Sequence, residues 1–141
     1  MAAGVLYGFG YASLTGEADL RELLGSKVDL VVDVRIRRWS GIRAFSTAAE
    51  RTVRQAGYDY LWVPGLGNAG HGGRGPMRLA NPDSVTVVVS ALEEGHSVAL
   101  MCACTDVRRC HRRLIVALVR EAVPALEVRD LSANSVSATI E

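Results

Sequence analysis

Lysine, paired cysteines and long apolar runs are scarce in this sequence. The longest purely apolar runs, 98–104 and 114–119, are far shorter than the roughly 20 residues that cross a bilayer, which excludes a membrane span. The cysteines number three and no signal peptide is recognisable at the start, so we expect free thiols and a cytoplasmic location rather than a disulfide scaffold. With 49% hydrophobic and 22% charged residues among 141, the chain is too apolar for disorder and suits one domain.

Arginine supplies nearly all of the positive charge, although the net charge is only +1. Fifteen of the sixteen basic residues are arginines, and the single lysine is Lys27. A GC-rich genome would produce this bias on its own, whereas arginine also binds phosphate or carboxylate through its planar fork. The placement favours a function, because ten of the arginines fall into three short segments: Arg35, Arg37, Arg38 and Arg43; Arg74 and Arg78; and Arg108, Arg109, Arg112 and Arg113.

Alternating apolar runs and helix-like stretches predict an α/β fold, a single three-layer domain over residues 1–131 with an open, mostly parallel, Rossmann-like sheet of about five strands. Residues 132–141 are small and polar and predict a flexible tail. The apolar runs place strands at 5–8, 28–34, 58–63, 97–102 and 126–131. Capping and turn residues place helices from Thr15 to Gly25, from a capping box at 47–50 to Gly57, from Asn81 onward, and over 107–122.

The loops that follow the strands of a parallel sheet meet at its carboxyl edge, where such folds bind ligands. The turn at Gly8, the basic loop 33–43, the glycine-rich loop 64–80 and the segment 102–113 should therefore converge there.

Segment 101–113 holds all three cysteines, a histidine and four arginines, and three interpretations compete. It is an anion site with a reactive thiol at a helix start, a metal site of Cys102, Cys104, Cys110 and His111, or ordinary core packing of buried cysteines. The spacing from Cys102 to Arg108 fits the loop of cysteine phosphatases, but Asp106 would place a carboxylate where phosphate must bind. In the predicted helix, Cys110 shares an apolar stripe with Leu114 and Leu118.

Other polar and aromatic residues are candidates on the same edge. Asp33 ends an apolar strand, where it either pairs with arginines or serves as an acid or base. Tyr11 and Trp39 either stack on a nucleobase or pack as lids. His71 is a candidate acid or base on the glycine-rich loop.

Several motifs together resemble domain-of-unknown-function family number 488. They are Gly10-Tyr11-Ala12-Ser13, Val32-Asp33-Val34-Arg35, Phe45-Ser46, Pro64-Gly65-Leu66-Gly67, Ala99-Leu100-Met101-Cys102-Ala103 and Arg109-Cys110-His111-Arg112. The resemblance covers about residues 5–131 and implies a small cytoplasmic α/β domain with shared residues at Asp33, Arg35, Cys102, Cys110, His111 and Arg112. Cys104 and Gly65 stand where the family usually has acidic residues, which implies a more positive pocket here.

We therefore expect an enzyme that acts on a nucleotide or nucleic-acid component, without a metal or other cofactor and without a membrane partner. The expected catalytic residues are Asp33, Cys102, Cys110 and His111. The expected ligand-binding residues are Gly10, Tyr11, Arg35, Arg38, Arg43, Arg109 and Arg112. A non-catalytic nucleotide or nucleic-acid binding module is the alternative, and a structural zinc domain is a further one.

Overall fold

The computed structural model describes residues 5–131 and 138–139. Its strands are β1 (Val5–Gly10), β2 (Leu30–Asp33), β3 (Asp59–Trp62), β4 (Val98–Cys102), β5 (Glu127–Asp130) and β6 (Ala138–Thr139). Its α-helices are α1 (Glu17–Leu24), α2 (Ala49–Gln55), α3 (Val85–Glu93) and α4 (Arg112–Ala122).

The strands form one open sheet in the order β3-β2-β4-β1-β5-β6. The first five strands of this order pair in parallel, and β6 pairs antiparallel with β5. The predicted α/β class and mostly parallel sheet are confirmed. The predicted flexible tail lies outside the described residues, except for 138–139 in β6.

Helices cover both faces of the sheet. Helices α1 and α2 pack with Phe9 and Val31 in one apolar cluster, whereas α3 and α4 pack with Leu6 and Val32 in the other. Strand β4 is buried along its whole length, as expected for a parallel strand covered on both sides. No helix in the described part of the chain has the length and apolar character needed to cross a membrane.

The residues before α3 and α2 determine how these two helices begin. The side chain of Asn81 accepts a hydrogen bond from the amide of Asp83, and Pro82 occupies the first turn, so α3 follows although its first half is rich in β-branched valines. The capping box expected at 47–50 is wrong, because the residue that precedes α2 is Ala48 and no side chain caps it.

The helix predicted over 107–122 is also wrong in its first part. A 3₁₀ turn spans Val107–Arg109, where the Asp106 side chain accepts from the amide of Arg108. Cys110 is extended, with φ −111° and ψ 146°, and α4 begins only at Arg112. Cys110 therefore does not belong to a helical stripe with Leu114, and its side chain is directed by contacts with other parts of the fold.

The sheet has its topological switch point at β4. This strand lies between β2 and β1, whose following helices cover one face, while the helix that follows β4 covers the opposite face. Adjacent strands whose connections leave in opposite directions open a crevice at their carboxyl ends. Cys102 is the last residue of β4 and lies at that crevice.

Candidate functional site

A cleft of about 430 Å³ opens at the carboxyl end of β4. Its volume is within the range of small-molecule sites. The loops after β1, β2, β3 and β4 all contribute to it, as the sequence predicts. It is lined by Tyr11, Arg35, Ile36, Arg37, Trp39, Asn68, Ala69, His71, Gly72, Arg74, Met77, Cys102, Ala103, Cys104, Arg109, Cys110 and His111.

The cleft is positively charged. Arg37, Arg74 and Arg109 line it and are exposed, and each comes from a different one of the three arginine segments. Among the described residues that line the cleft there is no aspartate or glutamate. Arg109 has one acidic neighbour, Asp106, whose oxygen lies 3.9 Å from Arg109 Nε. Guanidinium groups without a carboxylate among them favour an anionic ligand.

Three thiols lie together at the floor of the cleft, and we call Cys102, Cys104 and Cys110 the sulfur cluster. All are free, and their Sγ atoms lie within 4.8 Å of one another. Cys102 Sγ and Cys110 Sγ are 3.0 Å apart. Cys102 and Cys110 are buried whereas Cys104 is exposed, so the cluster reaches from the core to the open cleft.

His111 is held in one orientation beside this cluster. Its Nε2 lies 2.6 Å from the carbonyl oxygen of Val34, which only accepts hydrogen bonds, so Nε2 carries the proton. In the neutral imidazole, Nδ1 is then the acceptor, and it lies 3.7 Å from Cys110 Sγ. The geometry thus pairs a thiol with an unprotonated ring nitrogen, an arrangement used for general-base chemistry.

Arg112 supports the cluster from the protein interior. The residue is only 1% exposed. Its Nε donates to Cys110 Sγ (3.4 Å), one terminal nitrogen donates to Asp130 (2.7 Å) and the other donates to the carbonyl of Cys104 (2.7 Å). Arg112 does not line the cleft, so the structure places this predicted ligand-binding arginine behind the site.

The contacts within the sulfur cluster shift the pKa values of Cys110 and Cys102 in opposite directions. Hydrogen bonds from Cys102 and then Cys104, assisted by the positive charge of Arg112, lower the pKa of Cys110, although burial opposes this. Hydrogen bonding with Cys104 and Cys110, together with burial, raises the pKa of Cys102. These contacts therefore favour ionisation of Cys110 over ionisation of Cys102.

Metal-free protein should accordingly show ultraviolet thiolate absorbance at neutral pH, which the Cys110→Ser variant should lose. Because the folded-state pKa lies below the value of roughly 8.5 for a free thiol, this thiolate stabilises the fold above that pH, and its contribution is lost as the pH falls through the folded-state pKa. A pH titration of the absorbance checks this. Absorbance that rises only near the pH of a free thiol, or that survives in Cys110→Ser, would contradict the assignment.

Asp33 and Arg35 form a buried ion pair next to the cleft. Arg35 donates through Nε (2.8 Å) and a terminal nitrogen (2.7 Å) to the two oxygens of Asp33, and also to Tyr11 Oη (3.0 Å) and the Phe45 carbonyl. Tyr60 donates to the same carboxylate at 2.5 Å, and burial, with the Asp33 carboxylate, raises its pKa. Asp33 is fully buried and does not line the cleft, so of its two predicted roles the geometry favours pairing with arginine.

The two aromatic residues predicted to stack on a base differ in how far their side chains are exposed. Tyr11 is 3% exposed, its ring stacks on Phe45 at 4.8 Å, and the Arg35 guanidinium lies over it at 5.1 Å. The Tyr11 ring is therefore packed between Phe45 and Arg35, which favours packing over stacking on a ligand, the two roles that the sequence leaves open for it. Trp39 lines the cleft and is 76% exposed, which leaves its ring open to a ligand.

Three further predicted ligand-binding residues lie outside the cleft lining. Gly10 has a steric role instead: a Cβ there would lie 1.8 Å from the carbonyl oxygen of Cys104, so only glycine admits the cysteine loop. The Arg38 guanidinium lies 4.3 Å from the ring centre of Trp62. Arg43 is exposed at the start of the 3₁₀ turn Arg43–Phe45.

The Asp106 carboxylate, expected to block an anion at segment 101–113, does not line the cleft. Asp106 pairs with Arg108, whose side chain is 88% exposed, and neither residue lines the cleft. The argument from Asp106 against an anion at this loop therefore fails, while Arg108 is not placed to act as the phosphatase-type arginine.

Sequence reasoning missed two partners of the site. Asp130 in β5 pairs with Arg112, and Tyr60 in β3 bonds Asp33. An acidic residue at the end of an apolar strand is the signal that singled out Asp33. Asp130 also ends a strand, but β5 contains Glu127 and Arg129 and so lacks the apolar run. Tyr60 lies in β3 and Asp33 in β2, so no pattern within a short stretch of sequence predicts this contact.

Residues 75–123 match a family model described as DUF488-N3a, the active DUF488-N3 subclade. The matched residues include the whole sulfur cluster, His111 and Arg112. Neither the curated proteins nor the solved structures gave a match to the chain.

Proposed function

Residues 75–123 are similar to the DUF488 family, and we propose that the chain is an enzyme acting on a nucleotide or a nucleic-acid component. One observation carries the proposal. Cys110 and His111 lie together at the floor of a cleft that presents three exposed guanidinium groups and, among its described lining residues, no carboxylate.

The charged part of the substrate would bind at the rim. Arg37, Arg74 and Arg109 lie on three separate loops, so together they can contact several oxygens of one phosphate group through bidentate hydrogen bonds. Trp39 offers an exposed ring on which a base can stack. A phosphate beside a flat aromatic group is the chemistry of a nucleotide.

The reactive part would be the Cys110–His111 pair. The bond from His111 Nε2 to the Val34 carbonyl leaves Nδ1 directed at Cys110 Sγ, and Arg112 donates to the same sulfur. A thiol that can pass its proton to a histidine, which leaves a thiolate beside a cation, is the usual activated cysteine of such enzymes. Asp33 acts as a positioning residue here, because it fixes Arg35 and, through it, Tyr11 at the cleft wall.

The second candidate is a binding module without catalysis. It is favoured by the burial of Cys110, which has no exposed surface, because a nucleophile must contact its substrate. This module would need the arginines of the rim but neither Cys110 nor His111. Under both candidates we place the protein in the cytoplasm, since its free thiols suit a reducing compartment.

The test incubates the full chain with nucleoside mono-, di- and triphosphates and short oligonucleotides, with products followed by mass spectrometry and binding by calorimetry. Wild type should convert at least one of these, and Cys110→Ser should lower the rate about 10²–10⁴-fold with binding nearly unchanged. Arg113→Ala, an exposed residue outside the cleft, is the control. Binding without any conversion would establish the module instead, and equal rates in wild type and Cys110→Ser would refute the catalytic role of Cys110.

A further inference from the structure

We propose that the sulfur cluster is a binding site for a thiophilic divalent metal ion, with Zn²⁺ as the best fit, and that it has three sulfur ligands and a fourth position open to the cleft. The inference concerns the floor of the cleft and not the ligand at its rim. It shares Cys110 with the proposed reactive pair, and a metal-bound Cys110 is a ligand rather than a free nucleophile, so the test below measures metal binding and nucleotide conversion separately.

The spacing of the sulfur atoms fits one ion. The three Sγ atoms lie within 4.8 Å of one another, and one pair is 3.0 Å apart. In a tetrahedral zinc site with Zn–S bonds of about 2.3 Å, neighbouring sulfurs stand about 3.8 Å apart. The observed separations lie on both sides of that value, so rotations of the side chains are enough to close the site.

Rigid elements hold two of the three ligands. Cys102 ends β4, which pairs with β1 and β2 on its two sides. Cys110 lies between the 3₁₀ turn and the first turn of α4. The backbone around Cys104 is held against Gly10, where any side chain would collide with it. Ligands on a fixed scaffold lower the ordering cost of binding an ion.

The surrounding charge suits a metal with three thiolates. A divalent ion with three thiolates has one negative charge in excess, and Arg112 supplies a buried positive charge 3.4 Å from Cys110 Sγ. The same guanidinium bonds the carbonyl of Cys104 and thereby fixes a second ligand residue. Such outer contacts orient the ligands and adjust the charge of metal sites.

The fourth position faces the cleft, because Cys104 is exposed and all three cysteines line the cavity. Three protein ligands with one open position are typical of catalytic rather than structural zinc. His111 also lines the cleft, with its Nδ1 3.7 Å from Cys110 Sγ, so a ring nitrogen lies beside the cluster. Cysteine ligands exclude hard cations such as Mg²⁺ in favour of soft ones.

The test uses the full chain, reduced and freed of metal by a chelator that is then removed. Titration with Cd²⁺ should produce a thiolate charge-transfer band that saturates at one ion per chain, and Zn²⁺ competing with a chromophoric chelator should give the same stoichiometry. Cys104→Ser should weaken Zn²⁺ binding at least tenfold. This residue is exposed, so its replacement spares the core, whereas Cys102→Ser and Cys110→Ser report the buried ligands if they fold.

His96→Ala is the matched control, because His96 forms a surface pair with Asp29 away from the cleft and should leave metal binding unchanged. Zn²⁺ affinity that is equal in Cys104→Ser and wild type, binding without a thiolate band, or a Cys102–Cys110 disulfide in place of bound metal would overturn the inference. A chain that converts nucleotides without binding Zn²⁺ refutes only the metal site. A chain that binds Zn²⁺ and no nucleotide refutes only the proposed function.

Discussion

Replacement of Asp33 by asparagine should lower the free energy of unfolding by about 3–5 kcal/mol. The substitution keeps the shape of the side chain but removes the charge that faces Arg35, which is itself 7% exposed. Arg35 would keep its bonds to Tyr11 and the Phe45 carbonyl, neither of which carries a compensating charge. A buried cation that loses its carboxylate is among the costliest single changes in a fold.

Urea unfolding of Asp33→Asn beside Glu50→Gln checks this expectation. Glu50 forms an i,i+4 pair with Arg54 in which both side chains are 49% exposed, so the same change from carboxylate to amide should cost no more than about 0.5 kcal/mol there. Tyr60→Phe, which removes one hydrogen bond to the Asp33 carboxylate, should cost about 1.5–3 kcal/mol. Equal losses for Asp33→Asn and Glu50→Gln would show that Asp33 is not the structural partner described above.

Arg112→Met should have an effect of similar size on stability, about 3–5 kcal/mol, and a second effect on the site. It removes the ion pair with Asp130, the hydrogen bond to the Cys104 carbonyl and the donor to Cys110 Sγ. Without the neighbouring cation the Cys110 thiolate is less favourable, so the pKa of Cys110 should rise and the thiolate absorbance at neutral pH should fall.

Arg113→Met is the matched control, because Arg113 is the next residue in the same helix and is exposed. It should change stability by less than about 0.5 kcal/mol and leave the thiolate absorbance as it is. Arg112→Lys keeps the charge but loses the planar fork, so it should retain thiolate absorbance even where Arg112→Met folds poorly. Loss of the absorbance in Arg112→Lys to the same extent as in Arg112→Met would argue against an electrostatic role for Arg112.

The fold follows from the sequence where local patterns decide the structure. The apolar runs mark five strands within a few residues of their ends, and Asn81-Pro82-Asp83 marks the start of α3. The break before α4 does not follow, because segment 107–122 has the composition of one continuous helix. Long-range contacts decide it, since His111 reaches the carbonyl of Val34 and Arg112 reaches Asp130.

The sequence predicts where the site lies better than it predicts the role of each residue in it. The topology brings the three arginine segments and the cysteines to one edge, and at least one arginine of each segment lines the cleft with the cysteines. Which arginine is free depends on partners from distant elements: Arg35 is paired with Asp33, Arg38 lies over Trp62, and Arg112 is buried with Asp130. Sequence spacing does not show such partners, so only the structure singles out Arg37 and Arg74 within their segments.

Calorimetric titration of a nucleotide into paired double variants tests most directly that the rim arginines bind one shared anion. Arg74→Ala/Arg109→Ala removes two cleft guanidiniums, and Arg51→Ala/Arg113→Ala removes two exposed arginines outside it. With about 1.5–3 kcal/mol for each charge-assisted hydrogen bond, the first variant should lose at least tenfold in affinity, and the second should bind as wild type does. Equal affinity in both variants, or no binding by wild type, would contradict the account.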